Sequence, residues 1–269
     1  MFLCLHASGL TLIPVSIIAT RSSLNSATPT DIFLPTMIAT FCATMAAMII
    51  VSIRQKINLF QPMLLAYIGG ISAIVGAMVF FLVKLNKEEL DGVSKLISNG
   101  LILLIFLLIV LGGVYKKINI FDAFIDGAKE GFNTCVKIIP YLVGMLVAIS
   151  LLRTSGVFDL IINGMKWMVE SLSMDTRFVD GLPTALIKPL SGSGARGMMI
   201  DTMTTFGVDS FPARLSAILQ GSSDTTFYVI AVYFGAVGVK NTRYTISSML
   251  LSDLVGITTS IIMAYWFFG

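Results

Sequence analysis

The stretch that decides the fold is Leu190-Ser-Gly-Ser-Gly-Ala-Arg-Gly197, which is followed by the polar cluster Gln220-Gly-Ser-Ser-Asp-Thr-Thr226. Prolines and glycines break the helical pattern repeatedly between residues 180 and 226, and apolar segments flank the breaks. At membrane depth, irregular backbone survives only where it lines a cavity or is buried in protein. Transporters place such breaks between half-helices at a central site. We therefore predict discontinuous, re-entrant half-helices that meet near Ser191–Arg196 and Gly221–Thr226; the alternative is an extramembrane loop with two ordinary turns.

The composition of the whole chain favours a membrane setting. Of its 269 residues, 56% are hydrophobic and 12% are charged, and this charged fraction is about half that of an ordinary soluble domain. Such a composition excludes a disordered chain, a coiled coil and a soluble enzyme. The net charge of +3 gives no reason to expect nucleic acid as a partner. We predict an all-α polytopic membrane protein whose first partner is the lipid bilayer.

Uncharged runs of about 20 residues mark the segments that can cross a bilayer as helices. The clear runs are Ile32–Ile53, Ile57–Val83 and Leu96–Tyr115, and two shorter ones are Ile138–Leu152 and Thr225–Val239. A further span, Tyr244–Phe268, is long enough only if Asp253 lies inside the membrane. Because Lys and Arg favour the cytoplasmic side, we predict that residues 54–61 and 116–137 lie inside and residues 84–95 outside. The last span then starts inside and leaves the C-terminus outside.

Residue spacing assigns faces to several of these helices. Small residues that recur every fourth position allow helices to approach closely in lipid, and they predict three contact faces: Ala39, Ala43 and Ala47; Gly69, Ala73 and Ala77; and Ser248, Ser252, Gly256 and Ser260. Leu101–Leu111 has no small residue, so we predict that it faces lipid. Phe121–Lys137 and Gly156–Leu172 carry polar stripes at helical spacing, which fits either a helix in the membrane interface or a helix at the solvent edge of the bundle.

Polar side chains in and beside the broken stretch are the candidates for binding a solute. Hydroxyl groups there could replace the hydration of a solute, and a charge inside a membrane is costly enough to indicate function. The predicted substrate-binding residues are Ser191, Ser193, Arg196, Ser222, Ser223, Asp224, Thr225, Thr226 and Asp253. Lys188 and Asp201 are weaker candidates. The alternatives are an Arg196–Asp201 ion pair that fixes the broken helix, and a Lys188 side chain that reaches the membrane surface.

The chain offers no pattern for catalysis or for metal binding. It has one histidine, His6, and its three cysteines lie in apolar surroundings. No Ser-His-Asp set and no carboxylate pair stands out, and the glycine-rich stretch lacks the Gly-Lys-Ser/Thr of a phosphate loop. We therefore expect a protein that is not an enzyme, with no catalytic residue, no metal site and no cofactor.

The two ends of the chain resemble each other as a partial repeat. Ser8–Thr11 aligns with Ser223–Thr226, and each is followed by an apolar run, a polar loop and a long span. With a gap of two residues, Thr40 falls opposite Asp253. The predicted directions make the copies inverted, which is usual in transporters. The second copy has a preamble, residues 121–222, that the first lacks; either that part lies on another chain or this chain is truncated, and we favour truncation.

Several motifs resemble those of a known family. The segments that resemble spore maturation protein B are Phe124–Phe132, Ile139–Leu142, Pro189–Gly197 and Gly221–Val229. Ser8–Arg21, with Pro29 and Pro35, resembles the end of spore maturation protein A. The resemblance is therefore to the A/B fusion family with most of the A half missing. It implies the C-terminal part of an A-like repeat at 1–55, a linking transmembrane hairpin at 56–117 and a B-like nucleoside-recognition (Gate) domain at 118–269.

The same resemblance sets the functional expectation. Gate domains also occur in nucleoside and ferrous-iron transporters, and the family is linked to dehydration of the spore core. We expect a multi-pass protein of the bacterial inner (plasma) membrane that acts as a transporter or permease for an unknown small solute or ion. The alternative is a non-transporting membrane scaffold or complex subunit. Either the missing A-type half or a second copy of the chain is expected as a protein partner.

Overall fold

The fold is described by a computed structural model that covers residues 6, 9, 11, 14–56, 69–70, 72–73, 75–77, 79–81, 84, 87–171, 173, 175–236, 238 and 240–269. Regular structure in these residues is helical throughout, as predicted. The helices are α1 (Val15–Ser23), α2 (Phe33–Gln55), α3 (Lys87–Tyr115), α4 (Ile120–Thr154), α5 (Val157–Ser171), α6 (Pro183–Ile187), α7 (Gly192–Phe206), α8 (Phe211–Ser222), α9 (Thr226–Ala236) and α10 (Thr245–Phe268), with a 3₁₀ turn at Val179–Gly181.

Helix-breaking residues in the region 180–226 act as caps. The Ser191 hydroxyl accepts a hydrogen bond from the Gly194 amide at 3.0 Å and starts α7, because a helix begins with amides that have no partner in the helix. Gly207 ends α7 with φ of +89°, a backbone conformation that favours glycine. Ser210 then caps α8, with Pro212 in the first turn. The predicted interruptions therefore separate four short helices, α6 to α9.

The helices α2 and α10 form the most extensive helix pair of the described chain. Ala39, Ala43 and Ala47 are fully buried in this contact, and the Ser252 hydroxyl donates to the Ala43 carbonyl at 2.8 Å. A Cβ on Gly256 would lie 3.3 Å from the Cβ of Ala43, so the backbones come as close as small residues permit. Two of the three predicted contact faces are thus confirmed, and they face each other.

The described helices include two, α2 and α10, that are long and apolar enough to cross a bilayer by length and composition. The apolar end of α3, Asn99–Tyr115, is shorter, and the predicted lipid face Leu101–Leu111 is largely exposed, as expected. The predicted span Ile57–Val83 lies partly outside the described residues. Its described small residues Gly69, Ala73 and Ala77 are exposed, so they pack on no helix within the described part of the chain.

Of the two predicted amphipathic segments, one is part of a longer helix and the other forms a separate helix. Phe121–Lys137 and Ile138–Leu152 are not two elements, because they form one helix of 35 residues, α4, that runs through Pro140. The interpretation of Phe121–Lys137 as a separate helix is therefore wrong. The other amphipathic segment is a helix of its own, α5, and its Lys166 forms an ion pair with Asp180 at 2.8 Å.

A group of paired charges joins the end of α1 to the start of α8. We call it the charge cluster, and its members are Arg21, Asp31, Asp209 and Arg214. Arg21 is fully buried, and its Nη2 lies 2.9 Å from Asp31 Oδ1 and 2.9 Å from Asp209 Oδ1. Arg214 Nε lies 2.9 Å from Asp31 Oδ2. Each charge in the cluster thus has an opposite charge in contact.

Hydrogen bonds from the loop after α1 complete the charge cluster. The Ser26 hydroxyl and the Ala27 amide both donate to the Asp209 carboxylate, at 2.6 and 2.9 Å. Burial opposes ionisation of Asp209, but these hydrogen bonds and the two arginines outweigh it and lower its pKa. At Asp31 burial dominates and raises the pKa despite both arginines. The cluster thus ties residues near the N-terminus to residues almost two hundred positions later.

Candidate functional site

Two helix breaks lie side by side in the C-terminal part of the chain. The first, residues 188–191, separates α6 from α7, and the second, residues 223–225, separates α8 from α9. The Phe227 amide donates to the Pro189 carbonyl at 3.0 Å, so the start of α9 rests on the first break. The Thr225 hydroxyl oxygen lies 2.7 Å from where a Cβ on Gly192 would stand. Glycine at this position therefore permits the two breaks to touch.

An open cleft of about 490 Å³ lies beside the two breaks. Its lining comes from the N-terminal residues, the start of α1, the first break, α7, the end of α8 and the second break. The lining residues are His6, Gly9, Thr11, Pro14, Val15, Ser16, Ile17, Lys188, Arg196, Gln220, Gly221, Ser223 and Asp224. A cavity of this size is within the usual range for a small-molecule site.

Two cations of the cleft have no carboxylate in contact. The Lys188 side chain is only 7% exposed, and its Nζ donates to the main-chain carbonyl of Gln220 at 2.7 Å. Arg196 is half-buried. The ion pairs within 4 Å that join described residues include neither Lys188 nor Arg196. The predicted alternatives, an Arg196–Asp201 ion pair and a Lys188 side chain that reaches the membrane surface, are therefore not what the structure shows.

The acidic side of the cleft is Asp224, whose side chain is 54% exposed. Its Oδ1 accepts a hydrogen bond from the Thr225 amide at 2.8 Å, and its Oδ2 lies 3.9 Å from His6 Nε2. The His6 ring packs edge-on against Tyr233, with ring centroids 5.3 Å apart. Asp224 is thus held at the cleft surface, where a solute can reach it.

The two aligned ends of the chain each have a hydrogen bond at corresponding positions. The Thr226 hydroxyl donates to Asp253 Oδ2 at 2.5 Å, and Asp253 is only 4% exposed. In the N-terminal half, the Thr11 amide donates to the Thr40 hydroxyl at 3.3 Å. The sequence alignment places Thr11 opposite Thr226 and Thr40 opposite Asp253, so the corresponding positions are in contact in both halves. The Thr11 hydroxyl also donates to the Gly221 carbonyl at 3.2 Å and joins the halves at the cleft.

The predicted site residues divide into two groups. Arg196, Ser223 and Asp224 line the cleft. The others make contacts within the protein around or beneath it. In this second group Ser191 caps α7 and contacts Ser193, Ser222 donates to a carbonyl of its own helix, Thr225 abuts Gly192, and Thr226 binds Asp253.

Sequence reasoning missed the whole N-terminal part of the cleft lining as well as Gln220, and it ranked Lys188 too low. It assigned no role to Thr11, Gln220 or His6, and it treated Lys188 as a weaker candidate. A signal existed for Lys188, since a lysine directly before Pro189 at a helix break has little chance of lying on an ordinary helix face. No local pattern marks Gln220. Within the described residues, no group of His, Cys, Asp and Glu side chains is arranged to hold a metal ion.

Two comparisons with known proteins, one with family models and one with individual proteins, point to the same family. Residues 135–240, which contain both helix breaks, match the Gate family, described as nucleoside recognition. The chain is 43% identical over 173 residues to spore maturation protein B of Bacillus subtilis (strain 168), across 64% of this chain and 96% of that protein. No solved structure matches the chain. With nearly the whole of that relative aligned at this identity, the chain belongs to the spore maturation protein B family of Gate-domain membrane proteins.

Proposed function

We propose that the protein is a multi-pass protein of the bacterial inner membrane that moves a small polar solute or ion through the cleft beside its two helix breaks. The observation that carries the proposal is the contact between the breaks, which leaves a polar cavity walled by residues from both ends of the chain. Transporters of inverted-repeat design build their sites in this way, from discontinuous helices at the repeat interface.

The lengths of the short helices support a discontinuous membrane span. Helices α8 and α9 have 12 and 11 residues, so each is less than about 20 Å long, whereas the hydrocarbon core is about 30 Å thick. Neither spans a bilayer alone. Two such helices joined by the break at 223–225 would together cover the distance, with the break near the middle.

The aligned ends support an inverted repeat. Helices α1 and α2 correspond to α9 and α10, and the long members of the two pairs, α2 and α10, pack on each other through small residues. The contacts Thr11–Thr40, which is partly buried, and Thr226–Asp253, which is buried, occupy corresponding positions. We propose that residues 1–55 and 118–269 form the two transport units and that residues 56–117 link them.

The experiment is solute uptake by the full chain in proteoliposomes. Nucleosides are the first solutes to test because the matched family is described as nucleoside recognition; the panel is labelled uridine, adenosine, uridine 5′-monophosphate, succinate and inorganic phosphate. We expect Asp224→Ala to abolish uptake, because Asp224 is the exposed carboxylate of the cleft. Asp126→Ala is the matched control, since Asp126 is an exposed carboxylate of α4 that pairs with the exposed Lys129 outside the cleft.

Two results would count against this function. Equal uptake by Asp224→Ala and wild type would remove Asp224 from the site. If the wild-type chain moves no member of the panel faster than empty liposomes do, the transport proposal fails for these solute classes.

A scaffold role is the second candidate, and one observation favours it. Ser191, Ser222 and Thr226 donate or accept hydrogen bonds within the protein, as they would if the polar region only locked helices together. The protein partner would then be an A-type half or a second copy of the chain. A scaffold predicts that no solute of the panel raises the melting temperature of the purified protein, whereas a transporter predicts a shift that depends on Asp224.

A further inference from the structure

We propose that the solute of the cleft carries an anionic group, a carboxylate or a phosphate, and that Lys188 and Arg196 bind this group. The inference rests on the proposed function, because it names the solute class of the same cleft. It is carried by three observations: a buried lysine with no carboxylate in contact, a second cation on the same cavity, and a buried acceptor with no hydrogen-bond partner among the described residues.

The state of Lys188 is the first observation. An ammonium group has three N–H donors, and the Gln220 carbonyl accepts one of them. A buried charge that lacks an opposite charge costs several kcal/mol, so proteins keep one mainly where something outside the fold neutralises it. The charge of Lys188 is therefore available to a bound anion.

Arg196 strengthens the same side of the cleft. It lines the cavity with Lys188 and repels it, although Asp224, which is not in contact with Lys188, attracts Lys188 more strongly than Arg196 repels it. A guanidinium group binds carboxylates and phosphates through paired N–H donors. An anion between Lys188 and Arg196 would remove their repulsion and satisfy the remaining donors.

The carboxylates nearby do not fill this role. Asp224 pairs with His6 at 3.9 Å and is in contact with neither Lys188 nor Arg196. Asp253 is hydrogen-bonded to Thr226 and does not line the cleft. Besides His6, the lining has two cationic side chains, Lys188 and Arg196, and one carboxylate, Asp224, so an anionic group on the solute would balance the second cation.

Gln220 adds a requirement on the rest of the solute. Its side chain is 7% exposed, lines the cleft, and its Oε1 is buried with no hydrogen-bond partner in the described structure. A buried acceptor without a partner costs about 1–3 kcal/mol. We therefore infer that the solute presents an N–H or O–H donor close to its anionic group.

The test compares matched solutes with and without charge on the full chain in lipid nanodiscs. The probes are uridine 5′-monophosphate against uridine and succinate against succinamide, with dissociation constants measured by calorimetry. We expect the anion of at least one pair to bind at least about tenfold more tightly than its neutral match. The uridine pair reports on phosphate recognition and the succinate pair on carboxylate recognition.

Variants then assign the preference to residues. We expect Lys188→Met to abolish the preference and Arg196→Gln to weaken anion binding about tenfold, while Lys188→Arg retains the preference. Lys129→Met is the control, because Lys129 is an exposed lysine of α4 outside the cleft. If Lys188→Met does not fold, salt dependence serves instead: anion binding by the wild type should weaken with added salt and uridine binding should not.

Three results would overturn the inference: equal binding of charged and neutral partners, an undiminished preference in Lys188→Met, or no binding of either anion at about 1 mM. If uridine alone binds and requires Asp224, the proposed function stands and only the anionic class is wrong. The function itself is judged separately, by uptake in proteoliposomes.

Discussion

Helices α1 and α8 have different charge environments at their two ends. The end of α1 and the start of α8 meet at the charge cluster, where Arg21 contacts two carboxylates. The start of α1 and the end of α8 meet at the cleft, where Lys188 contacts none. The same pair of helices therefore meets at one end in ion pairs, which we call the closed end, and at the other end beside the cleft, which we call the open end. We infer that paired charges of this protein hold the fold together and that unpaired charges are the ones available to a solute.

The largest expected effect is at the closed end. Arg21→Met leaves Asp209 with no arginine in contact and Asp31 with Arg214 alone, and breaking a buried ion pair from one side costs about 3–5 kcal/mol. We expect a loss of unfolding free energy of this size, measured by denaturation in mixed micelles. Lys129→Met is the control, because it breaks an exposed pair worth at most about 1 kcal/mol. Equal stability of the two variants would show that the cluster is not structural.

A smaller loss of stability is expected where the two helix breaks touch beside the cleft. Gly192→Ala places a methyl group 2.7 Å from the Thr225 hydroxyl oxygen, and overpacking of this kind costs about 1–3 kcal/mol. We expect Thr225→Ala to recover part of this loss in the double variant, because it removes the clashing atom. The control is Gly164→Ala on α5, where a Cβ meets nothing within 4 Å. A purely additive double variant would mean that the two breaks do not touch.

The smallest expected effect on stability is that of Lys188→Met. Its sign distinguishes a charge of the cleft from a charge of the charge cluster, whose loss destabilises the fold. Lys188→Met replaces a buried unpaired cation by an apolar side chain of similar length, and such replacements are often neutral or stabilising. We expect the unfolding free energy without solute to stay within about 1 kcal/mol of the wild type or to rise. A loss as large as that of Arg21→Met would place Lys188 among the structural charges.

The parts of the fold that sequence predicted are those encoded by local residues. The helix breaks follow from Ser191, Gly207, Ser210 and Pro212, because each of these residues caps or ends a helix by its own backbone or side chain. The close packing of α2 on α10 follows from small residues at fourfold spacing. The correspondence of Thr40 with Asp253 follows from a repeat visible in the chain, whereas the contact of Thr40 with Thr11 was not predicted.

The parts that sequence did not predict depend on distant residues. Arg21 and Asp209 are 188 positions apart, and no local pattern reveals such a contact. Gln220 belongs to the cleft only because α8 ends beside α1. The division of α4 into two elements is wrong because hydropathy changes near residue 137, whereas the helix continues past this point and through Pro140. Likewise, a stripe such as Gly69, Ala73 and Ala77 shows that a helix can be approached closely, but it does not identify the partner.

The length of α4 has a consequence for how the protein sits in its membrane. At 1.5 Å per residue, 35 residues extend about 52 Å, whereas a bilayer with its headgroups is about 40–45 Å thick. If this helix crosses the bilayer upright, it must emerge into water by one or two turns. Asp122, Asp126 and Lys129 lie in its first turns and suit that emergent segment. A fluorescent label at Asp122 would then report the depth and tilt of the whole bundle against lipid quenchers of known position.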